Sequence, residues 1–203
     1  LEKITNLSPA HISAYSLILE EDTELYNMYK RNEFKLMDED TDIDMYEYTI
    51  NYLKSKGYNQ YEISNYSKPG FECNHNILYW KCGHYIGLGP GASGYIKNIR
   101  YGNLCDLNEY HTKLLKNEKP IESKEVISIK DGIEEKIFMG LRMNEGIKFA
   151  DFKSEFNIDF LEKYKKQIQD LSEKKLIKLD DDGIALTQKG REISNSVFIE
   201  FMN

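Results

Sequence analysis

His11–Glu20 reads HISAYSLILE, a run that is apolar almost throughout and follows the turn pair Ser8-Pro9. A short apolar run bounded by turn residues predicts a largely buried strand, and its near-continuous character favours a parallel sheet. Downstream, Asp38-Glu39-Asp40 precedes Ile43, Tyr46, Ile50 and Leu53 at 3-4-3 spacing, and Gly57 follows them. This pattern predicts a helix with carboxylates on its first turn, where they complement the helix dipole, and a glycine just past its last turn. Tyr58–Ser64 then returns as a second strand. Strand, helix and strand in succession predict a βαβ unit, and with it an α/β fold.

Upstream of this unit the chain opens on Leu1 rather than Met, and LEKITNLSP reads as the end of a helix running into a loop, so a longer parent protein is expected. Beyond it, residues 66–103 are dense in Gly, Asn and Tyr, with strand-like pieces at His84–Leu88 and Tyr95–Tyr101, a composition in which site chemistry is expected. Leu107, Tyr110 and Leu114 share one face of a short helix over Asp106–Lys116. The polar stretch Lys116–Lys124, with Pro120, predicts a domain boundary, dividing the chain into residues 1–122 and 123–203. The second part has a different rhythm. Helices are predicted at Ile129–Leu141, near Phe149–Phe156 and at Phe160–Lys174. The segment LIKLDDDGIALT then reads as a hairpin whose Asp-Gly pair supplies positive-φ residues to a tight turn, and a last helix runs from about Gln188 to Phe201 behind the N-cap Thr187. Helices with a two-stranded wing make a winged-helix-like module.

Composition narrows the function. Of 203 residues, 40% are hydrophobic and 30% charged, enough for a sizeable core. No run of eighteen apolar residues and no signal-peptide pattern is present, so neither an integral membrane segment nor secretion is expected, and the default location is cytoplasmic. Three scattered cysteines, Cys73, Cys82 and Cys105, fit a reducing compartment. A net charge of −7 argues against broad phosphate neutralisation. The module that resembles a DNA reader is itself acidic, with 13 Lys and Arg against 15 Asp and Glu over Ile129–Asn203 and a wing tip of Asp180-Asp181-Asp182. Nucleic acid is therefore not an expected partner.

Two segments carry candidate chemistry. In Tyr85–Gly94, YIGLGPGASG, the set Gly87, Gly89 and Ala92 formally fits a dinucleotide fingerprint, but GYIKNIRYGN after it reads as strand and turn rather than a helix opening. The glycines fit equally a backbone that a ligand approaches and a tight structural bulge. The second segment is Cys73–Trp80, CNHNILYW. Cys73-x-His75 and Cys82-x-His84 offer a zinc ligand set, although one-residue gaps are shorter than those of structural zinc sites. His75 and Tyr79 are four apart and share a face in helix or strand, as do Asn76 and Trp80. An imidazole with a phenol, beside an amide and an indole, suits a planar iron-bearing ligand such as haem. The same residues also fit a core in which His75 is simply hydrogen-bonded.

HISAYSLILEEDT, NQYEISNYSKPGFECNHNILYW and YIGLGPGASGYI together resemble the HemW family, the haem-chaperone branch of the radical S-adenosylmethionine proteins related to oxygen-independent coproporphyrinogen III oxidase. GIALTQKGREISNSVFIEFM is similar to the family's ending, so the likeness covers essentially the whole chain. The resemblance implies the later part of a partial (β/α) radical-SAM barrel, followed by a mostly helical winged-helix-like domain. It implies haem binding by His75, Asn76, Tyr79 and Trp80, with His75 as iron ligand, and transfer of haem to haem-accepting proteins. It places Ile18, Gly87, Gly89 and Ala92 on the S-adenosylmethionine side of the barrel. The alternative activity is oxidative decarboxylation of coproporphyrinogen III in porphyrin biosynthesis. The family's CxxxCxxC, which holds a four-iron four-sulfur cluster, has no counterpart among these cysteines. Cluster and S-adenosylmethionine are therefore expected in a full-length protein only, and the chain alone is expected to be catalytically inactive.

Overall fold

Ile12, Leu53, Tyr58 and Tyr66 are buried together and anchor the first of two units into which the chain divides, Leu1–Cys73 and the remainder from Asn74. The computed structural model describes residues 1–202. In the first unit, α1 (Glu2–Asn6) leads to β1 (His11–Ser13), α2 (Glu24–Lys30), α3 (Glu39–Ser55), β2 (Asn59–Glu62) and β3 (Asn65–Ser67). Helix α3 starts where the sequence predicts, because the Asp38 side chain accepts a hydrogen bond from the Thr41 amide at 2.9 Å. Its Leu53 enters the core.

The predicted parallel pairing is not what forms. The sheet order is β1-β3-β2, with both outer strands antiparallel to β3. The chain folds back directly after β2, where the buried Glu62 carboxylate accepts from the Ser64 amide at 3.1 Å and from the Asn65 side chain, so β3 inserts between the two strands that α3 connects. Regular strand pairing is also shorter than HISAYSLILE suggests. Only His11–Ser13 pairs regularly, and Tyr15, Leu17 and Ile18 are exposed. Apolar character favours an extended chain, but a strand also needs a neighbour to complete its backbone hydrogen bonds.

From Asn74 the second unit contains α4 (Asn74–Trp80), β4 (Ser93–Ile96), β5 (Ile99–Asn103), α5 (Leu107–Leu115), β6 (Ile121–Val126), α6 (Ile129–Arg142), β7 (Ile147–Lys148) and α7 (Phe149–Phe156). There follow α8 (Phe160–Lys163), α9 (Lys165–Glu173), β8 (Ile177–Leu179), β9 (Gly183–Leu186), α10 (Gln188–Glu192) and α11 (Ser194–Ile199). Residues 84–88 contribute a single bridge, Tyr85 to Tyr95, instead of a strand. The run 95–101 contains the turn of the β4–β5 hairpin. The boundary expected at residue 122 falls inside β6, which pairs with β5. Pro120 lies just before that strand, where its missing N–H removes no ladder bond.

Ile133, Ile137 and Leu141 of α6 are buried, as are Phe152, Phe160, Ile168, Leu171, Val197, Phe198 and Phe201. The hairpin expected as a two-stranded element is joined by a third strand, in the order β7-β9-β8. Its turn is built differently from the expectation. Asp180 accepts from the amides of Asp182 at 3.0 Å and Gly183 at 2.8 Å, and Gly183 is not among the positive-φ residues. Glycine is required there for space, since a Cβ would lie 2.3 Å from the Ile147 carbonyl oxygen of the neighbouring strand.

Candidate functional site

Asn74–Trp80 of CNHNILYW form a two-turn helix, α4, which resolves the choice of secondary structure left open by the spacing. His75 lies on its exposed side. The Tyr79 ring meets the His75 ring edge-on, with centroids 4.7 Å apart and planes at 90°, an arrangement that aromatic quadrupoles favour. Tyr79 in turn packs on Tyr85 at 4.5 Å, and Tyr85 lies 6.4 Å from Tyr95. The last two are held by reciprocal backbone hydrogen bonds of 2.8 and 2.9 Å. Behind them, Arg100 makes a two-pronged ion pair with Glu135, both oxygens at 2.8 Å, and its guanidinium stands over the Tyr95 ring at 5.9 Å. Burial raises the phenol pKa of Tyr85, with the neighbouring Tyr79 adding to it, and burial likewise raises that of Tyr95. Both phenols are neutral near pH 7.

Asn76 and Trp80 occupy the other side of α4 and are half-buried. The Arg142 guanidinium stacks over the Trp80 ring at 4.5 Å from its centroid. The indole Nε1 is buried without a hydrogen-bond partner among the described residues. Trp80 also borders a cavity of about 110 Å³ that Lys136, Gly140, Met143 and Ile147 line from the side of α6 and β7.

The glycine strip is held from within. The Gly87 and Gly89 amides donate to the Tyr101 and Tyr110 hydroxyls, both at 3.2 Å, and Asn103 Nδ2 donates to the carbonyls of Gly87 at 3.2 Å and Gly89 at 3.0 Å. A Cβ on Gly87 would lie 2.4 Å from the Ser93 carbonyl oxygen, whereas at Gly89, with φ of +103°, the space is open. Ala92, half-buried, donates its amide to the Gly89 carbonyl at 3.4 Å. Ile18 belongs to the first unit, on the exposed segment that follows β1.

Cys73, Cys82 and Cys105 are free thiols. Among the described residues no three His, Cys, Asp or Glu side chains are grouped to hold a metal, so Cys73, His75, Cys82 and His84 do not form a zinc set. Burial pushes the Cys82 thiol up to about 11, with Lys136 opposing and Glu135 adding, which leaves it protonated at neutral pH. Arg142, Tyr85 and Tyr95 escape sequence reasoning. Nothing local couples Arg142 to Trp80, and the two tyrosines are hidden in a chain with 15 of them.

The HemN C-terminal domain family matches residues 127–193. Heme chaperone HemW of Lactococcus lactis subsp. lactis (strain IL1403) is 43% identical over 202 residues, 100% of this chain and 53% of that protein. The protein of the same name from Bacillus subtilis (strain 168) is 32% identical over 97% of this chain and 52% of its own length. The chain thus spans about half the length of these curated relatives. In fold it is similar to coproporphyrinogen III oxidase (HemN) from Escherichia coli, a radical SAM enzyme, with a TM-score of 0.71 at 16% identity over 100% of this chain and 50% of that one. The chain is thus similar from end to end to the later half of HemW proteins, and beneath that likeness its fold is similar to that of HemN.

Proposed function

We propose that this chain supplies the haem-ligating helix of a haem chaperone, a protein that binds haem as cargo and passes it to haem-accepting proteins. The observation that carries the reading is the His75–Tyr79 pair, an exposed imidazole braced edge-on by a phenol ring on one face of α4. Imidazole is a common axial ligand of haem iron. At neutral pH it is a better ligand than a phenol, which would first have to lose a proton with an ordinary pKa of about 10. His75 is therefore assigned to the iron. Tyr79 is assigned to holding the imidazole and meeting the porphyrin edge or a propionate, and Asn76 to shaping the helix beside them. Trp80 is not assigned to the porphyrin wall, because Arg142 covers one face of the indole. Sequence similarity supports the chaperone over the decarboxylase, since the relatives at 43% and 32% identity are named heme chaperones and the oxidase is 16% identical.

The iron–sulfur cluster and S-adenosylmethionine belong to this reading as cofactors of the full-length protein. The cysteines of this chain do not fit a cluster, since no metal-binding group of three or more ligands forms among the described residues. Gly87, Gly89 and Ala92 are assigned to the shape of the loop after α4, with the open face at Gly89 left for a ligand. Ile18 is assigned to the S-adenosylmethionine side. For the architecture we infer the later elements of a (β/α) barrel followed by a winged-helix-like domain, with the division after β6 rather than at residue 122, supported by the family match that begins at residue 127.

The test is hemin titration of the full-length protein. His75→Ala is expected to abolish or shift the Soret band, whereas Cys73→Ala, Cys82→Ala and His84→Ala leave it largely intact. Identical spectra and affinities for wild type and His75→Ala would make α4 a purely structural helix.

A further inference from the structure

Trp80 and His75 lie five residues apart on one helix, so their side chains leave the axis roughly 140° apart and cannot both press on one flat ligand. The surroundings of Trp80 agree with that separation. Its ring is stacked by Arg142, the last residue of α6, at 4.5 Å, and it borders the cavity lined from α6 and β7. Two more ties join the end of α4 to the same region. Lys136 Nζ donates to the Lys81 carbonyl at 3.2 Å, and Lys81 pairs with Glu145 at 2.8 Å. Neither of these two ties is specific for the helix rotation, because a lysine is a flexible point charge, whereas a planar guanidinium on a planar indole fixes orientation as well as distance.

We propose that Trp80 is a positioning residue: it fastens α4 to α6 through Arg142, and so sets the direction of His75 toward haem from the C-terminal side of the chain without touching haem itself. The inference rests on the assignment of His75 as iron ligand, and it adds the element that aims it. It also gives Arg142 a part in haem binding.

Hemin titration and tryptophan emission of the full-length protein test it. Arg142→Met keeps an extended side chain but removes the cation. It is expected to weaken hemin binding about three- to tenfold, the range that loss of one partly desolvated cation–π contact permits. The Soret maximum at saturation should stay at the wild-type position, because the ligand is the same, and the hemin-free protein should show a shift in tryptophan emission that disappears when Arg142→Met is made in a Trp80→Phe background, which assigns it to Trp80. Trp80→Ala should match Arg142→Met in affinity, and the double variant should be no worse than either, since both remove one contact. Trp80→Phe should restore binding to within about twofold, because a phenyl ring still accepts a cation. Wild-type affinity in Arg142→Met beside loss of the Soret band in Trp80→Ala would place the indole against the porphyrin and overturn the proposal. Multiplicative losses in the double variant would do the same. If His75→Ala binds hemin as wild type does, the ligand assignment falls and takes the aiming role with it. The clamp itself would still be read in the emission of the hemin-free Arg142→Met protein.

Discussion

Cys82 and Cys105 carry the same thiol in opposite settings. Cys105 is exposed, whereas burial holds Cys82 at about 11. The thiolate is the reactive form, so with iodoacetamide at pH about 8 Cys105 should be alkylated at least about tenfold faster than Cys82, as followed by mass spectrometry of the labelled peptides. Equal rates would mean that Cys82 is not enclosed as described. The same protonation state makes Cys82 a poor ligand for iron or zinc at neutral pH. At this scale the sequence was legible in kind but not in role. The spacing of His75 and Tyr79 announced a shared face whichever secondary structure formed, and the rings do meet. The expectation that Trp80 would present its ring to a ligand did not foresee Arg142, because a cation brought in by a distant helix leaves no mark in the local sequence.

Among the elements, the N-cap read at Thr187 forms, since a cap is settled within one turn of chain. Asp38 and Asp106 cap their helices in the same way, although the sequence reading placed Asp38 on the first turn and gave Asp106 no capping role. Two helices predicted as continuous are broken, at Tyr164 with φ of −110° and at Ile193 with φ of −117°. Their apolar spacing runs on through the breaks. At the break between α8 and α9, Tyr164 is buried with its ring centroid 5.0 Å from that of Phe160 and 5.3 Å from that of Phe201. The hairpin offers a pH test. Asp180, fully exposed, is held below the usual aspartate range, first by the Asp182 amide and then by that of Gly183, and Asp38 is lowered by the Thr41 amide and hydroxyl. A carboxyl whose folded pKa lies under its unfolded value of about 3.9 contributes stability above that value and loses it as pH falls through the lower folded one. The unfolding temperature, followed by circular dichroism, should therefore hold steady from neutral pH to about 5 and fall below about 4. Asp180→Asn keeps an acceptor oxygen for both amides but cannot titrate, so its profile should fall less steeply. A slope identical to wild type would remove the Asp180 carboxylate from the acid response.

Across the whole chain the first unit is organised around Ile12, Leu53, Tyr58 and Tyr66, and the second contains all the candidate haem residues on α4. Reconstitution of this chain with iron and sulfide should give no stoichiometric cluster absorbance, because Cys73, Cys82 and Cys105 form no group of ligands among the described residues. One cluster per chain would refute the assignment of cluster binding to the full-length protein only. Among the described residues no helix is long and apolar enough to cross a membrane, in keeping with the absence of a long apolar run in the sequence. By itself the sequence determined the mixed α/β class, the hairpin around Gly183, and the HemW likeness carried by CNHNILYW and its neighbours, since these depend on spacing and composition within short stretches. Only the tertiary structure decided that β3 inserts antiparallel between β1 and β2, that the glycine strip is tied to Tyr101, Asn103 and Tyr110, and that Trp80 turns toward Arg142. Each of these is a pairing between residues that periodicity does not link, and the partner is chosen by which surfaces burial brings together.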